Sequence, residues 1–479
     1  MNNEQLLHDL MVVMPELAIS VSALFGLLLG ALYGKPSKVL AYVILAILVI
    51  LTYCMFAFGS MFHGSAFHGS YSNNEYTIVF KTYILAGVSI LFLAYIGYAQ
   101  NNISTEFIIL ILLSVVGGCV AISARDLIIL FVGLELQSLP AYILAAFSRE
   151  SIKSSEAGLK YFVLGALSSA ILLFGSSLIY GFTGSVSYVD ISDSIINGAN
   201  IGVIVGISMI LAALMFKLSA APFHMWTPDV YEGAPIIVVA LFSSVQKLTV
   251  IAVLVSVIAL TLAKFGILFV PIIKFLAVLS LFVGAFGAIL QTSIKRLMAY
   301  STILNSGYIL LAIVADMYLG IWRHAFFTYM VIYGITTIGF FTLLAGIFQN
   351  KADDLSFGDL AGLSYNNKIG AACLAIMISS MIGIPPLAGF FGKYYVLYDL
   401  VNIGEYGVAI LAVAASVVAA FYYLKIIKVM YFDEPAYPSI TVRIPYLIVF
   451  VTSFAITFVI CFAQNFAEFF NNIKFLLCI

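Results

Sequence analysis

Four ionisable side chains lie deep inside long apolar runs of this 479-residue chain. Glu135 sits in "LFVGLELQSLPAYIL", Lys217 in "LMFKLSAAPFHMW", Lys247 in "SSVQKLTVIAVL" and Lys393 in "IGIPPLAGFFGKYYVL". A charge at mid-bilayer costs about 2.5–3.5 kcal/mol on insertion scales, so residues that survive there face a wet cavity or a partner. One carboxylate and three amines make a set that protons can visit. A carboxylate that moves towards or away from a buried amine changes how firmly that amine holds its proton. Glu135 and Lys217 could act as such a switch; the alternative is a static structural pair. His224 is a further relay candidate, because an imidazole titrates near neutrality; a hydrogen-bonded packing role is the other reading. Lys160 opens a span and reads as either an inside anchor or a pathway mouth. Lys295, beside Arg296, reads as a topology anchor. Glu156, Asp229 and Glu232 fall at helix ends or in loops and read as solvated.

The elements that position these residues follow from composition. The chain is 63% hydrophobic and 9% charged, against about 25% charged in soluble domains, so its solvent is lipid. Since a bilayer core needs roughly 20 apolar residues per helix, about fourteen spans are expected. They fall near 11–33, 39–59, 78–98, 105–123, 126–147, 158–182, 201–225, 235–262, 268–290, 297–315, 324–348, 369–400, 405–430 and 445–466. The fold class is an all-α polytopic membrane protein. Pro222 interrupts the seventh span, and Pro385, Pro386 and Gly389 interrupt the twelfth. Backbone freed by proline within lipid is tolerated only beside protein or water. Breaks an odd number of spans apart imply two inverted five-helix repeats, spans 4–8 and 9–13, and paired broken helices point to an ion pathway. The resulting organisation is 1–104 for helices 1–3, 105–262 for the first repeat, 263–430 for the second and 431–479 for the last helix.

Lysine and arginine in the connections give orientation. One side holds Lys35, Lys38, Arg149, Lys153, Lys295, Arg296, Lys351, Lys368, Lys425, Lys428 and Arg443; the other holds Lys81, Arg125, Lys264, Lys274, Arg323 and Lys474. This bias puts both termini outside. The polar connection 59–77, with His63 and His68 in "HGSAFHGS", reads as a flexible Gly/Ser loop rather than a metal site. Residues 1–10 carry no Lys or Arg, and the first apolar run is too long for a signal segment, so it reads as a retained helix.

Several chemistries find no support. The five cysteines form no CxxC pair, which argues against a metal or redox motif. No GxxxxGK[ST] and no GxGxxG after a strand is present, nor any haem or iron–sulfur spacing. A net charge of -1 argues against nucleic acid. Energy for any pumping must come from a partner or an opposing ion gradient.

"GLELQSLPAYIL", "GLKYFVLGALSSAILLFGSSLIYGFTGS", "FKLSAAPFHMWTPDVYEGAP" and "KRLMAYSTILNSGYIL" resemble the antiporter-like membrane subunits of respiratory complex I, the NADH–quinone oxidoreductase. Within that family the N type is most similar, since the lysine near the second break replaces a glutamate expected in the M type, and no long lateral helix is expected here. The resemblance runs from span 1 to span 14. It implies a proton channel in which Glu135, Lys217, Lys247 and Lys393 carry the relay, with Lys160, His224 and Lys295 as further positions. The Glu135–Lys217 pair would gate uptake from the cytoplasm, Lys247 would relay, and Lys393 would release outward. It also implies that this chain holds no cofactor, and that flavin, iron–sulfur clusters and quinone belong to partner subunits. The expected partners are other membrane-arm subunits, further antiporter-like subunits among them, in a bacterial inner membrane rather than a mitochondrial one. An Mrp-type cation/proton antiporter subunit is the alternative, and a purely structural membrane subunit a third reading.

Overall fold

The computed structural model describes residues 3–33, 38–99, 103–195, 200–261, 266–319 and 325–435. The expected fourteenth span lies outside the described residues. In chain order the helices are α1 (Asn3–Val12), α2 (Met14–Tyr33), α3 (Lys38–Phe58), α4 (Glu75–Ala99), α5 (Thr105–Ser123), α6 (Leu127–Ala145), α7 (Ile152–Thr183), α8 (Tyr188–Ile195), α9 (Ile201–Leu218) and α10 (Thr227–Gly233). They continue with α11 (Ile236–Leu241), α12 (Lys247–Thr261), α13 (Gly266–Ile289), α14 (Ile294–Leu319), α15 (Ala325–Phe348), α16 (Leu363–Asn366), α17 (Lys368–Ile382), α18 (Ala388–Asn402) and α19 (Tyr406–Phe432). Twelve helices among the described residues are long and apolar enough to cross a membrane. These match expected spans 1–11 and 13. The twelfth appears as α17 and α18, each about 22 Å long at 1.5 Å per residue.

Polar side chains set where the helices begin. Ser104, Asp126, Ser151, Asn200 and Asn367 each accept a first-turn backbone N–H, of α5, α6, α7, α9 and α17, which satisfies donors left over at a helix start. Between apolar helices in lipid the drive to associate is close packing. A Cβ on Gly133 would lie 2.6 Å from the Ala121 nitrogen, so glycine there lets α5 and α6 touch backbone to backbone. Span Ile236–Thr261 is buried throughout, and α14 and α15 nearly so. The other helices sheathe these three.

Both expected breaks are present. The α9 helix stops at Leu218, and Ser219 takes the left-handed conformation at φ 63°. The α17 helix stops at Ile382, and Gly383 does the same at φ 91°. The peptide bonds Ala221–Pro222 and Pro385–Pro386, three residues after each left-handed residue, are cis. A third irregularity carries no proline. Phe242–Gln246 forms a π-helical turn between α11 and α12, and Lys247 follows it directly.

Two sequence expectations need correction. The connection 59–77 is not a loose loop: β1 (Gly64–Ala66) pairs antiparallel with β2 (Tyr71–Asn73), Gly64 opposite Asn73. Its order comes from bonds to the bundle, since Asn73 Nδ2 donates to the Val12 carbonyl at 2.7 Å and Ser123 Oγ donates to Asn73 Oδ1 at 2.7 Å. Lys81 is not a surface charge either. It is fully buried in α4, 2.5 Å from Glu16 of α2, and also donates to Asn73 Oδ1 and the Tyr71 hydroxyl. The hairpin folds over this amine because a buried ammonium requires several acceptors.

The molecule has two distinct ends. One carries the hairpin and the turns at 124–126 and 184–187, tied by Arg125 N–H to the Ser70 carbonyl and Tyr188 N–H to the Arg125 carbonyl. The other carries 146–160, 227–236, 291–296 and 349–360, tied by Ile294 N–H to the Leu355 carbonyl and Ile236 N–H to Asp353 Oδ1.

Candidate functional site

The first break gathers three of the four principal candidates. Lys217 occupies the last turn of α9, and its amine donates to Ser138 Oγ at 2.6 Å. Ser138 lies three residues beyond Glu135 on the same face of α6. Glu135 does not pair directly with Lys217 among the described residues; its carboxylate accepts a hydrogen bond from Ser169 of α7. The expected pair is therefore two neighbouring charges, each held by a serine. A small shift of α6 or of the α9 end could bring them together, since both sit beside irregular backbone or a proline-bearing helix.

Lys247 is 2% exposed. Its amine donates to the Lys217 carbonyl at 3.2 Å and to Ser219 Oγ at 2.5 Å, and lies 5.3 Å from the Trp226 ring centre. Backbone freed by the break thus solvates a buried ammonium. Ser219 in turn accepts from Thr227 Oγ1 at 2.7 Å, which links the chain to α10. The π turn rotates α12 relative to α11 just before Lys247; such turns recur at functional sites.

The second break holds the fourth candidate in a related way. Lys393, in the second turn of α18, donates to the Ile382 carbonyl at 2.8 Å, the last carbonyl before the left-handed Gly383. Its amine lies 5.4 Å from the Tyr308 ring centre. Each break therefore presents a freed carbonyl to a lysine from a later helix.

The further candidates separate. Lys160 lies at the polar end, 2.7 Å from Glu156 and 2.6 Å from Asp229. Arg296 contacts Asp229 at 2.7 Å and Glu232 at 3.0 Å, while Lys153 reaches Glu232 at 3.4 Å and Asp354 at 3.2 Å. Glu156, Asp229 and Glu232 are thus not independently solvated. They and three cations line a cavity of about 190 Å³. Lys295 is buried at 1% exposure and donates to the Ala234 carbonyl at 2.8 Å, anchoring the end of α10. His224 stands in the first break with its Nδ1 buried and unpartnered.

Sequence reasoning singles out none of the hydroxyls. Ser138, Ser169, Ser219 and Thr227 hold the charged groups, and α14 carries Ser301, Thr302, Asn305 and Ser306 as a buried stripe. The available signal is the i, i+4 spacing in "YSTILNSGYIL", which an averaged hydropathy window conceals. Among the described residues no cluster of His, Cys, Asp and Glu could hold a metal ion.

Comparisons with known proteins bear on the family and the fold. Residues 124–419 match the family model described as NADH:quinone oxidoreductase/Mrp antiporter, TM. NADH-quinone oxidoreductase subunit N of Rickettsia felis is 41% identical over 430 residues, which is 89% of this chain and 93% of that protein. A chain of respiratory complex I from Thermus thermophilus with bound aureothin superposes with a TM-score of 0.80 at 28% identity, covering 95% of this chain and 98% of that one. A chain of the Mrp complex from a Dietzia species shares the fold, with a TM-score of 0.80 at 21% identity and 96% of each chain covered.

Proposed function

The chain belongs to the NADH:quinone oxidoreductase/Mrp antiporter membrane family, and from that premise we propose that it is a proton-translocating membrane-arm subunit of NADH:quinone oxidoreductase. One observation carries the relay reading: two buried amines, Lys247 and Lys393, each bind backbone freed at a broken helix. Carbonyl acceptors inside the bilayer let an ammonium persist there, and irregular backbone at that depth lines a cavity or pathway.

In this reading Glu135 and Lys217 gate proton uptake. While Ser169 and Ser138 hold them apart, Lys217 is free to release its proton. When they approach, the carboxylate holds the proton on the amine. Lys247 receives the proton beside the first break, and Lys393 releases it beyond the second. The cavity lined by Lys160, Asp229 and Arg296 is the cytoplasmic mouth. His224, with its buried Nδ1 in the first break, serves as an accessory carrier, while Lys295 fixes α10. Segments 105–262 and 263–430 are the two inverted repeats. Flavin, iron–sulfur clusters and quinone belong to partner subunits, as do the redox steps that drive the relay. The chain resides in a bacterial plasma membrane with both termini on the periplasmic side.

A cation/proton antiporter subunit is the second reading, favoured by the shared fold with the Mrp complex. Its weight is less, because that likeness is 21% identical whereas the subunit N relative is 41% identical. The test is Lys217→Ala in the assembled complex, reconstituted in vesicles, with proton uptake and NADH oxidation measured together. The relay predicts a loss of pumping of roughly a hundredfold, the scale of a lost proton-transfer group, with assembly retained. Full pumping in an assembled variant rejects it.

A further inference from the structure

The span Ile236–Thr261 carries Lys247, and its cap position is Pro235, which has no side chain to accept a hydrogen bond. The Ile236 N–H is one of the donors that a helix start leaves over, and Ile236 is fully buried, away from water. Asp353 supplies the missing acceptor from 117 residues further along the chain: its Oδ1 takes the Ile236 N–H at 2.7 Å. The carbonyl of Ala234, just before Pro235, accepts from the Lys295 amine at 2.8 Å. The junction of α10 and α11 is thus gripped on both sides of its proline by charged side chains. Charge-assisted hydrogen bonds are shorter and about twice as strong as neutral ones, and a carboxylate suits the positive end of a helix. Gly233 closes the junction on a third side, since a Cβ there would lie 2.3 Å from the Lys153 carbonyl of α7.

Asp353 can hold this amide because its own segment is held. Within the connection 349–360, the Leu355 carbonyl accepts from the Ile294 N–H at 3.0 Å, and the Phe357 N–H donates to the Thr292 carbonyl at 3.3 Å. Asp359 accepts from the Ser356 N–H at 2.9 Å and lies 2.5 Å from the Lys351 amine. Asp354 meets Lys153 at 3.2 Å. The connection runs on through α16 into α17, whose end is the second break. Further along the span from Ile236, the Lys247 amine is fixed by the Lys217 carbonyl and Ser219. The π turn Phe242–Gln246 lies between these two anchors. A π turn holds one residue more than the α turn it replaces, so its relaxation would shift α11 against α12 by about 1.5 Å and rotate it by about 100°. Apolar packing is non-directional, whereas two polar anchors fix position along the helix axis.

We propose that Asp353 is a positioning residue for the proton relay: by holding the Ile236 N–H it keeps the π turn in place, and so keeps the Lys247 amine against the Lys217 carbonyl. The inference rests on the reading of Lys247 as a carrier. Asp353 touches no transferred proton. It acts through a backbone amide, so its acceptor oxygen matters more than its charge. The competing role is electrostatic, because the buried Lys295 amine lies within reach of the Asp353 charge. A displacement of the connection that leads to the second break would reach Lys247 through this one hydrogen bond.

The test is Asp353→Ala and Asp353→Asn in the whole complex, reconstituted in vesicles beside Lys247→Ala, with NADH-driven pumping scored per assembled complex. Alanine removes the acceptor, whereas asparagine keeps an acceptor oxygen and removes the charge. Pumping in Asp353→Ala should fall roughly tenfold or more, since a misplacement of about 1 Å can cost about a hundredfold, and Asp353→Asn should recover most of it. Should the alanine variant not assemble, Asp353→Ser replaces it, because the serine hydroxyl falls a bond short of the Ile236 amide. Equal losses with alanine and asparagine overturn the proposal in favour of a charge role. Parent-like pumping in Asp353→Ala with a lowered melting temperature, and with Lys247→Ala inactive, overturns it in favour of a merely structural cap and leaves the relay standing. Parent-like pumping in Lys247→Ala as well overturns the relay itself. A map of the alanine or serine variant gives an independent reading. A turn relaxed to α geometry, with Lys247 withdrawn from the Lys217 carbonyl, supports the proposal, and an unchanged π turn overturns it.

Discussion

At the scale of single residues, hydroxyls control the buried charges. Ser138 accepts the Lys217 amine at 2.6 Å, and Ser169 donates to Glu135, so the two charges stay apart. A hydrogen bond to a charged group contributes about 1.5–3 kcal/mol, enough to compete with a partly solvated ion pair. Ser138→Ala therefore lets Lys217 swing to Glu135 and settle in the pair, which slows release. Pumping should fall roughly tenfold in an assembled complex, the rate equivalent of about 1.4 kcal/mol, while Ser138→Thr keeps the hydroxyl and stays near the parent. Equal rates for the Ala and Thr variants would mean that the serine holds nothing. The charged residues are legible in the sequence because a charge in an apolar run is conspicuous. Their serine partners are not, because serine is ordinary in a span, and only the approach of α6, α7 and α9 selects Ser138, Ser169 and Ser219 from the rest.

Among the helices, legibility depends on whether order comes from the local chain. Pro222, Pro385 and Pro386 interrupt apolar periodicity, so both broken helices are legible in the sequence, although α9 stops at Leu218 rather than near residue 225. The π turn at Phe242–Gln246 has no such marker: Ser243 and Ser244 fit either helix type, and both bond back to the Ala240 carbonyl. The β1–β2 hairpin is illegible for the opposite reason, since its bonds run to Val12 and Ser123, far away in sequence, and to Lys81, whose burial the sequence does not show. Glu16 and Lys81 staple α2 to α4 beneath it. Removing one partner of a buried ion pair leaves an uncompensated charge and costs about 3–5 kcal/mol, whereas replacing both with apolar groups is often neutral. Lys81→Met should accordingly lower the thermal stability of the complex sharply, and Lys81→Met with Glu16→Leu should restore most of it. A double variant no better than the single one would show that Lys81 acts through the hairpin, not through Glu16.

For the molecule as a whole, the two ends differ in how they use charge, and that difference bears on orientation. Among the described residues at the ionic end, Lys38, Arg149, Lys368, Lys425 and Lys428 are exposed. At the hairpin end Lys81 is buried against Glu16, Arg125 is half-buried, and Lys274 pairs with Glu405 at 2.7 Å. The positive-inside rule counts lysine and arginine in short connections, and Lys81 is buried within α4 rather than lying in a connection, so the hairpin end carries less of that signal than a bare count gives. The ionic end is expected in the cytoplasm, and in the proposed relay the cavity at Lys160 then faces the side of proton uptake. The α18 helix leads from Lys393 towards the hairpin end, where Glu405 meets Lys274, so release follows on the opposite side. Cysteine labelling decides it. In a chain whose five native cysteines are replaced by alanine, His68→Cys should react with a membrane-impermeant maleimide in spheroplasts, and Lys368→Cys only in inside-out vesicles. Both positions are exposed, and neither contacts the buried charges. The reverse pattern would invert the molecule. The cavity at Lys160 would then be an outlet, and the order Lys217, Lys247, Lys393 would have to run backwards.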